Sequence, residues 1–269
     1  MHRVGERVCL ALGSGDGAAE SDRTQHAPAA GTHRAGLETR FEIALGSVWM
    51  AYQPIVRAEN AAPYAHEALV RTREESFQYP GVFFDAAERL GRVPHLGRVI
   101  RGKVAKALAS GAVQGTVFVN LHTSDLNDES LFSPKEPLSA HGHSVVLEVT
   151  ERAPLDKIKD LRRKIGKLRE LGYRIAVDDL GAGYAGLTSF AALAPDIVKL
   201  DMSLVRGIDT QVIKQKLVAS MTALCRELQI SVVAEGVETA EERDRLTALG
   251  CDLLQGYLFG RPGPLTTEA

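Results

Sequence analysis

The sequence predicts an α/β protein built on a variant (β/α)8, TIM-like barrel. Eight short β-rich runs occur along the chain, and helix-like segments separate the later six, as in a parallel sheet. The first two runs are joined by a polar loop, Arg57 to Pro63, that is too short for a crossover helix. These two strands should therefore pair antiparallel, which makes the predicted barrel a variant with an antiparallel first strand.

Hydrophobic periodicity places each element in order. Alternating or continuous runs of β-branched and apolar residues predict the strands, and amphipathic spacing predicts the helices, of which two are stopped by glycines at 172 and 250. The predicted strands are Val48–Val56, Tyr64–Arg71, Thr116–Leu121, Ser144–Val149, Tyr173–Asp178, Ile197–Asp201, Ser231–Glu235 and Asp252–Gln255. The predicted helices are Gly81–Leu90, His95–Ser110, Leu155–Leu171, Leu187–Ala192, Val212–Leu228 and Ala240–Leu249.

Composition divides the chain into three segments. Residues 1–36 are poor in large apolar side chains and are expected to form a disordered tail or a linker. Residues 37–264 have a globular composition and form the predicted domain, and residues 265–269 form a short C-terminal tail.

Charge and cysteine content exclude several classes of protein. The 269 residues are 45% hydrophobic and carry a formal net charge of −2, so no overall basic field attracts DNA, although a small nucleotide could bind locally. No apolar run is long enough to span a bilayer. Three cysteines without metal-ligand spacing favour a reduced, cytoplasmic protein.

Polar side chains mark the ends of most of the predicted strands. Because parallel strands of a barrel end at one rim, these side chains should lie together, and clustered carboxylates repel one another unless a cation is present. A solvated strand end explains any one of them but explains poorly such residues on six strands in succession, from Asn120 to Gln255, with Glu67 in the strand before them. The residues are Glu67, Asn120, Glu148, Asp178, Asp179, Lys199, Glu235 and Gln255.

These side chains predict a metal-dependent site. Carboxylate and amide oxygens suit Mg²⁺ or Mn²⁺ and suit zinc poorly. Asp179 follows Asp178 directly and could reach a second ion that Asp178 bridges, and paired ions are a recurring device for phosphodiester hydrolysis. Lys199 supplies a cation that could orient a hydroxide or offset phosphate charge. By contrast, His66, His122 and His143 flank the site strands and are expected to face outward.

The motifs in this order resemble those of EAL domains, the cyclic di-GMP phosphodiesterases of bacterial signalling. The resemblance covers about residues 38–264. It rests on Glu67-Ala68-Leu69 with Arg71, Tyr52-Gln53-Pro54-Ile55, Val119-Asn120-Leu121, Glu148-Val149-Thr150-Glu151, Asp178-Asp179-Leu180-Gly181-Ala182-Gly183-Tyr184, Lys199-Leu200-Asp201, Ala234-Glu235-Gly236-Val237-Glu238-Thr239 and Gln255-Gly256-Tyr257-Leu258-Phe259.

The resemblance implies hydrolysis of cyclic di-GMP to linear pGpG by two metal ions. It makes Glu67, Asn120, Glu148 and Asp178 ligands of the first ion, and Asp178 and Asp179 ligands of the second, with Glu235 close by. It places Lys199 on the nucleophilic water and Gln255 in support of the site. It assigns substrate binding to Gln53, Leu69, Arg71, Asp201 and Glu238, and assigns Glu151 to holding the loop after Asp179.

The resemblance also sets expectations for cofactors and partners. Mg²⁺ or Mn²⁺ should support activity, and Ca²⁺ is expected to inhibit because its looser geometry positions water poorly. A homodimer and an upstream sensor or regulatory partner are both compatible with it. Two alternatives stay open. The first is a catalytically weak or inactive domain that binds cyclic di-GMP or a partner protein. The second is a different Mg²⁺-dependent barrel enzyme that acts on another phosphate ester.

Overall fold

The eight predicted strands close into a barrel. The computed structural model describes residues 30–150, 155, 158–181 and 186–265, and its strands are hydrogen-bonded in chain order from β1 to β8. Their bounds are β1 Trp49–Arg57, β2 Pro63–Arg71, β3 Thr116–Asn120, β4 Val145–Thr150, β5 Arg174–Leu180, β6 Ile197–Leu200, β7 Ser231–Ala234 and β8 Leu253–Gln255. Each predicted strand is confirmed to within a few residues at its ends.

Strand β1 runs against its neighbours on both sides. It pairs antiparallel with β2, where Gln53 lies opposite Glu67, and antiparallel with β8, where Ile55 lies opposite Gln255. All other pairs are parallel. The predicted variant barrel is therefore confirmed.

Helices and short helical turns surround the barrel. The α-helices are α1 Ala30–Gly46, α2 Pro80–Leu90, α3 Val93–Ala109, α4 Leu161–Glu170, α5 Gly186–Leu193, α6 Met202–Val205, α7 Val212–Glu227 and α8 Ala240–Ala248. Three-residue-per-turn helices span Glu75–Phe77, Thr123–Asn127, Glu129–Phe132 and Pro137–Ser144. No helix in these described segments is both long and apolar enough to cross a membrane.

Apolar residues pack on both sides of the strands. The larger cluster lies between the barrel and its helices. A smaller cluster fills the barrel interior and takes one buried side chain from every strand, so the barrel is a packed core and not a channel. Its members are Ile55, Ala65, Phe118, Val146, Ala176, Ile197, Val233 and Leu253.

Two helix boundaries differ from the predictions. Helix α1 begins at Ala30, so residues 30–36, which the sequence placed in a tail or linker, are helical; residues 1–29 lie outside the described part of the chain. The apolar face of α1 includes Phe41, Ala44 and Leu45, all buried. Helix α4 begins at Leu161 and not at Leu155, because Asp160 has a left-handed φ of 54° that helical backbone does not allow.

Candidate active site

The side chains of the site form the next layer above the barrel interior. Because side chains in a strand alternate between its two faces, the residue two positions beyond each interior residue also points inward. In the seven strands from β2 to β8 this position carries a polar side chain at the C-terminal rim, and β1, which runs in the opposite direction, contributes Gln53. The rim residues are Glu67, Asn120, Glu148, Asp178, Lys199, Glu235 and Gln255.

Lys199 lies at the centre of this rim. Its side chain is 1% exposed, and its Nζ lies 3.2 Å from Glu67 Oε2, 2.7 Å from Glu148 Oε1, 3.3 Å from Asp178 Oδ1 and 2.5 Å from Glu235 Oε1. One ammonium group therefore faces four carboxylates, and we call these five residues the carboxylate ring. With all of them ionised, negative charge in the ring exceeds positive charge.

Amide side chains hold Glu67 in a fixed orientation. Gln255 Nε2 donates to Glu67 Oε2 at 2.7 Å, and Asn120 Nδ2 donates to Glu67 Oε1 at 3.0 Å. Gln255 also donates to Gln53 Oε1 at 3.2 Å, and Gln53 Nε2 in turn donates to the backbone oxygen of Gly260 at 3.1 Å. Gln53, predicted to bind substrate, is thus part of the network that positions Glu67.

The imbalance of charge in the ring shifts its pKa values in different directions. Burial disfavours ionisation of Glu67, but Lys199 and the amide hydrogen bonds outweigh it and lower the pKa. Burial and the neighbouring Glu67 raise the pKa of Glu148 well above its usual value. Burial, opposed by Lys199 and reinforced by Asp178, raises the pKa of Glu235 to about 8. Burial disfavours the charge on Lys199, but the surrounding carboxylates outweigh it and raise its pKa well above 10.5.

An irregularity in β5 brings two successive aspartates to the same rim. The pairing of β5 with β6 shifts register between Val177 and Leu180, and Asp179 has a left-handed φ of 57°. Adjacent residues of a regular strand point to opposite faces, so this bulge is what lets both Asp178 and Asp179 serve the site. Oxygens of Asp178, Asp179 and Glu235 lie within 4.8 Å of one another, which is close enough to share a metal ion.

The donor set fits divalent metal ions. Neither oxygen of Glu148, nor Oδ1 of Asp178, has a well-directed hydrogen bond from the described residues, although Lys199 Nζ is near both side chains. Buried carboxylate oxygens without donors are costly, and a cation would stabilise them. All the ligating atoms on offer are oxygens, as Mg²⁺, Mn²⁺ and Ca²⁺ prefer.

Two cavities open on either side of the carboxylate ring. The α2-side cavity, about 330 Å³, extends from the ring towards α2 and is lined by Val70, Arg71, Pro80, Phe84, Ile100 and His122, among others. The β8-side cavity, about 450 Å³, extends towards β8 and is lined by Gln53, Met202, Arg206, Glu238, Gln255 and Tyr257, among others. Glu67 and Leu69 line both cavities, so Leu69 separates them.

The residues predicted to bind substrate occupy different positions. Arg71 lines the α2-side cavity, where its Nη1 donates to the backbone oxygen of Val70 at 2.8 Å. Glu238 lines the β8-side cavity and forms an ion pair with Arg206. Asp201 lines neither cavity; its carboxylate accepts a hydrogen bond from Ser203 N at 2.9 Å and caps α6. The substrate-binding role of Asp201 therefore stays a prediction.

Some residues of the site were not predicted from the sequence, or were predicted to lie elsewhere. His122 was expected to face outward, but it lines the α2-side cavity; it caps the helical turn Thr123–Asn127 after the end of β3, where strand alternation no longer applies. Phe84 and Arg206 also line cavities, and no motif marks either of them. Glu151 and Ala182, with the rest of the loop segment 182–185, lie outside the described residues, so the loop-holding role of Glu151 stays a prediction.

Comparisons with known proteins agree with this geometry. The family model described as the EAL domain matches residues 38–262. A probable cyclic di-GMP phosphodiesterase of Escherichia coli, PdeG, is 31% identical over 227 residues, covering 81% of this chain and 45% of the relative. The cyclic di-GMP phosphodiesterase NbdA of Pseudomonas aeruginosa is 33% identical over 224 residues, covering 80% of this chain and 29% of the relative.

Solved structures share the fold. BlrP1 of Klebsiella pneumoniae, in a complex with calcium and cyclic di-GMP, superimposes with a TM-score of 0.71 at 33% identity, covering 82% of this chain and 57% of that one. The same protein has a manganese and cyclic di-GMP complex, with a TM-score of 0.68 at 32% identity, covering 81% of this chain and 56% of that one.

The chain corresponds to only part of these relatives, since it spans less than half the length of PdeG and NbdA. The family model nevertheless covers more than three quarters of this chain, including every rim residue of the barrel. The closed barrel, its antiparallel first strand and its carboxylate ring agree with that match. The chain belongs to the EAL domain family.

Proposed function

We propose that this protein hydrolyses cyclic di-GMP to linear pGpG by a two-metal-ion mechanism and so lowers the concentration of this messenger in bacterial signalling. The observation that carries the proposal is the carboxylate ring: a buried Lys199 faces four carboxylates between two cavities. Relatives whose names state this activity support it.

The ring and its neighbours would hold the metal ions. We assign Glu67, Asn120, Glu148 and Asp178 to one ion, and Asp178 and Asp179 to the other, with Glu235 within reach of both aspartates. When bound, the ions would activate a water molecule and stabilise the leaving oxygen.

The protein groups orient the reactants. Lys199 would donate a hydrogen bond to the attacking water, the role that the family resemblance implies, and its place among four carboxylates keeps its ammonium group at the centre of the site. Gln255 and Asn120 fix Glu67 through both carboxylate oxygens. The two cavities accommodate the two nucleotide halves, and Arg71 and Arg206 offer positive charge on either side of the ring.

A receptor that binds cyclic di-GMP without turnover is the second candidate. A receptor needs no excess of carboxylates where an anionic substrate binds, and this excess favours the enzyme. Purified protein should hydrolyse cyclic di-GMP in Mg²⁺ or Mn²⁺, lose activity in excess chelator, and be inhibited by Ca²⁺. Binding without hydrolysis under all these conditions would support the receptor instead.

Metal binding can be measured apart from activity. An ion that binds only the folded state raises stability by RT ln(1 + [L]/Kd), about 2.7 kcal/mol at one hundred times Kd. We expect Mg²⁺ to raise the melting temperature of the parent protein and to raise it less in Asp178→Asn. Arg243→Met, an exposed change away from the ring, is the control and should respond like the parent.

We also propose a homodimer through one face of α7. Five large apolar residues of α7 and its C-cap are exposed, and four of them lie along one face, with Ile213 the most exposed at 77%: Ile213, Leu217, Leu224 and Leu228. Their spacing reads the same from either end, so an antiparallel second copy would pair Ile213 with Leu228 and Leu217 with Leu224. Light scattering should show a dimer that Leu217→Asp dissociates and the exposed-site control Val82→Asp does not. The upstream partner and the cytoplasmic location stay predictions.

A further inference from the structure

A further cavity lies on the outside of the barrel wall, away from the carboxylate ring. Its volume is about 510–610 Å³ smaller than none of the two rim cavities and reaches about 610 Å³, a size typical of small-molecule sites. It shares no lining residue with either rim cavity. We call it the hairpin cavity, and it is lined by Tyr52, Pro54, Pro63, His66, residues 111–114 and residues 264–265.

The antiparallel start of the barrel explains why this cavity exists. No α-helix connects β1 to β2, so the outer face of this hairpin lacks the covering helix that a parallel crossover supplies. The segment after β8 covers part of it, where Tyr52 N donates to Gly263 O at 2.7 Å and Gly263 N donates to Tyr52 O at 3.1 Å. The side chains of Gln53 and Glu67 point to the rim, so their neighbours Tyr52 and His66 point outward. The barrel wall therefore separates the hairpin cavity from the carboxylate ring.

Two polar groups at this cavity have no hydrogen-bond partner among the described residues. They are the hydroxyl of Tyr52, a residue that is 7% exposed, and Nδ1 of the half-buried His66. Buried polar groups in folded proteins are nearly always partnered, so two such groups beside one cavity are unusual. Both side chains border open space, and a small rotation would bring either group to a ligand.

The cavity contains no charged side chain. Burial lowers the pKa of His66 from 6.5, so its ring is neutral at pH 7 and offers one donor and one acceptor. Burial raises the pKa of Tyr52 to about 12, so the hydroxyl keeps its proton. Much of the remaining wall is apolar and includes Pro54, Pro63 and Leu265. An ion in this cavity would lose its hydration without meeting an opposite charge.

We propose that the hairpin cavity binds a small uncharged molecule that has an apolar ring and an amide-like group with both a donor and an acceptor. The ring would pack against the prolines and Leu265, and the polar group would hydrogen-bond with Tyr52 and His66. Binding here requires no metal ion and does not depend on the proposed hydrolysis.

Three probes of nearly equal size and shape test the selection against charge. Benzamide is uncharged, whereas benzoate is an anion and benzamidine a cation at neutral pH. We would measure their dissociation constants by ligand-observed NMR in chelator. Benzamide should bind with a Kd of roughly 1 mM, as its few atoms allow, and the two ions should bind at least about tenfold more weakly. Equally tight binding of either ion, or no binding of benzamide, would overturn the inference.

Two variants locate the bound probe. Tyr52→Phe keeps the ring and removes the hydroxyl, and it should weaken benzamide binding about fivefold. Phe84→Leu alters the α2-side cavity and should leave benzamide binding unchanged, and cyclic di-GMP added with Ca²⁺ should not displace the probe. If Phe84→Leu or cyclic di-GMP reduced benzamide binding and Tyr52→Phe did not, the probe would lie in a rim cavity and the inference would be wrong.

The hydroxyl of Tyr52 can also be tested without a probe. Because it is buried and has no partner among the described residues, Tyr52→Phe should raise the melting temperature by about 2 °C. A lower melting temperature would show that the hydroxyl already has a partner in the folded protein, and would overturn its proposed role.

The end of the chain provides the last control. Residues 266–269 follow Leu265 and lie outside the described residues. A chain that ends at Leu265 should bind benzamide as the parent does. Tighter binding by the shortened chain would show that the last residues compete for the cavity, and would overturn the inference.

Discussion

Two buried cations lie among acidic side chains in the described part of the chain, and their surroundings differ. Arg101 in α3 contacts Asp125, Asp128 and Glu136 at 3.2, 3.2 and 3.4 Å, and each contact is a hydrogen bond. We call this group the arginine cluster. Lys199 in the carboxylate ring is equally buried, but of its contacts within the described residues only that to Glu67 is well directed as a hydrogen bond.

The difference shows how a structural charge cluster can be told from a functional one. In the arginine cluster, the planar guanidinium matches its acceptors, and Asp128 also accepts hydrogen bonds from Arg98 and Ser130 N. Carboxylates outnumber cations in both groups, but the excess is larger in the ring, where four carboxylates face one ammonium, than in the arginine cluster, where three face Arg101 and Arg98. In the ring, both oxygens of Glu148 also lack well-directed donors among the described residues. The arginine cluster is complete without a further ion, whereas the ring needs more positive charge. Only the ring should therefore respond to metal ions.

The largest effect should come from removing a rim carboxylate. Glu67→Ala takes away a proposed metal ligand and the acceptor of Gln255 and Asn120. We expect hydrolysis to fall on the order of 10³-fold, about 4 kcal/mol in barrier height. The fold should survive with a lower melting temperature, because the amides of Gln255, which is buried, and of Asn120 lose their acceptor. Steady-state kinetics with circular dichroism would check this. Parent-like hydrolysis by folded Glu67→Ala would show that the site is assigned wrongly.

The next largest effect should be on stability and should come from the other cluster. Arg101→Met leaves Asp125, Asp128 and Glu136 without their buried cation, which should lower the free energy of unfolding by about 3 kcal/mol. Activity per folded molecule should not change. Urea unfolding and active-fraction-corrected kinetics would measure both. A stable but inactive Arg101→Met protein would mean that the arginine cluster also serves the site.

The same carboxylate-to-amide change should have opposite effects on stability at Glu148 in the ring and at Asp128 in the arginine cluster. Burial and Glu67 raise the pKa of Glu148, so its ionised form destabilises the metal-free fold, and Glu148→Gln should stabilise it in chelator by about 1 kcal/mol. Burial disfavours the charge on Asp128, but hydrogen bonds from Ser130 and the charge of Arg98 outweigh it and lower its pKa. Asp128→Asn should therefore destabilise, by about 1.5 kcal/mol.

Thermal unfolding at neutral pH in chelator would compare the two variants with the parent. With added Mg²⁺ the parent should become more stable than Glu148→Gln, because the ion raises the melting temperature of the parent more than that of a variant that lacks one ligand. The ion should leave the difference between the parent and Asp128→Asn unchanged. Destabilisation of both variants in chelator would contradict the distinction between the clusters.

The carboxylate ring could be predicted from the sequence, and the arginine cluster could not. Every ring residue except Glu67 lies within two residues of the end of its strand, and strand alternation together with parallel pairing predicts that these side chains share one inward-facing rim. Arg101 lies on α3, and its three partners lie in the segments that follow β3. No local sequence pattern predicts the contacts between them. Gly97 is a related case. A Cβ there would lie 2.2 Å from Asp125 Oδ1, so the Asp125 side chain packs directly against the backbone of α3, and the sequence does not predict this contact.

The missed features have similar causes. Helix α1 was overlooked because its exposed beginning has the composition of a linker, and its apolar stripe is recognisable only from Leu37 onwards. The cavity residues Phe84 and Arg206 come from helix α2 and the turn after α6, whose positions depend on packing against the barrel. The chemistry of the rim follows from local sequence, whereas the shape around it follows from tertiary packing.

The smallest effect concerns a buried carboxylate that is held mainly by backbone amides, with Arg206 Nη1 3.9 Å away. Glu242 in α8 accepts hydrogen bonds from the backbone nitrogens of Gly207 and Glu238 at 2.9 Å each, and from Thr239 N at 3.4 Å. Burial disfavours its ionised form, but these donors outweigh burial and lower its pKa below 4.5. Glu242 shows a third arrangement, in which backbone amides stabilise a buried carboxylate as Arg101 stabilises the carboxylates of the arginine cluster.

The sign of its pH dependence follows from that lowered pKa. The stability that ionised Glu242 contributes is fully present above the unfolded-state pKa of 4.5 and is lost as the pH falls through the lower folded-state value. Glu242→Gln should therefore lose about 1 kcal/mol at pH 7 and lose less at pH 3, where the parent has also lost the charge. Urea unfolding of both proteins at the two pH values isolates the contribution of Glu242, since every other carboxylate titrates in both proteins.

The Glu148→Gln change should show the opposite trend in chelator, because protonation of Glu148 removes its destabilising charge from the parent as the pH falls. If the free energy of unfolding changed by the same amount between pH 7 and pH 3 in the parent and in Glu242→Gln, the backbone donors would bind the protonated carboxyl as well as they bind the carboxylate.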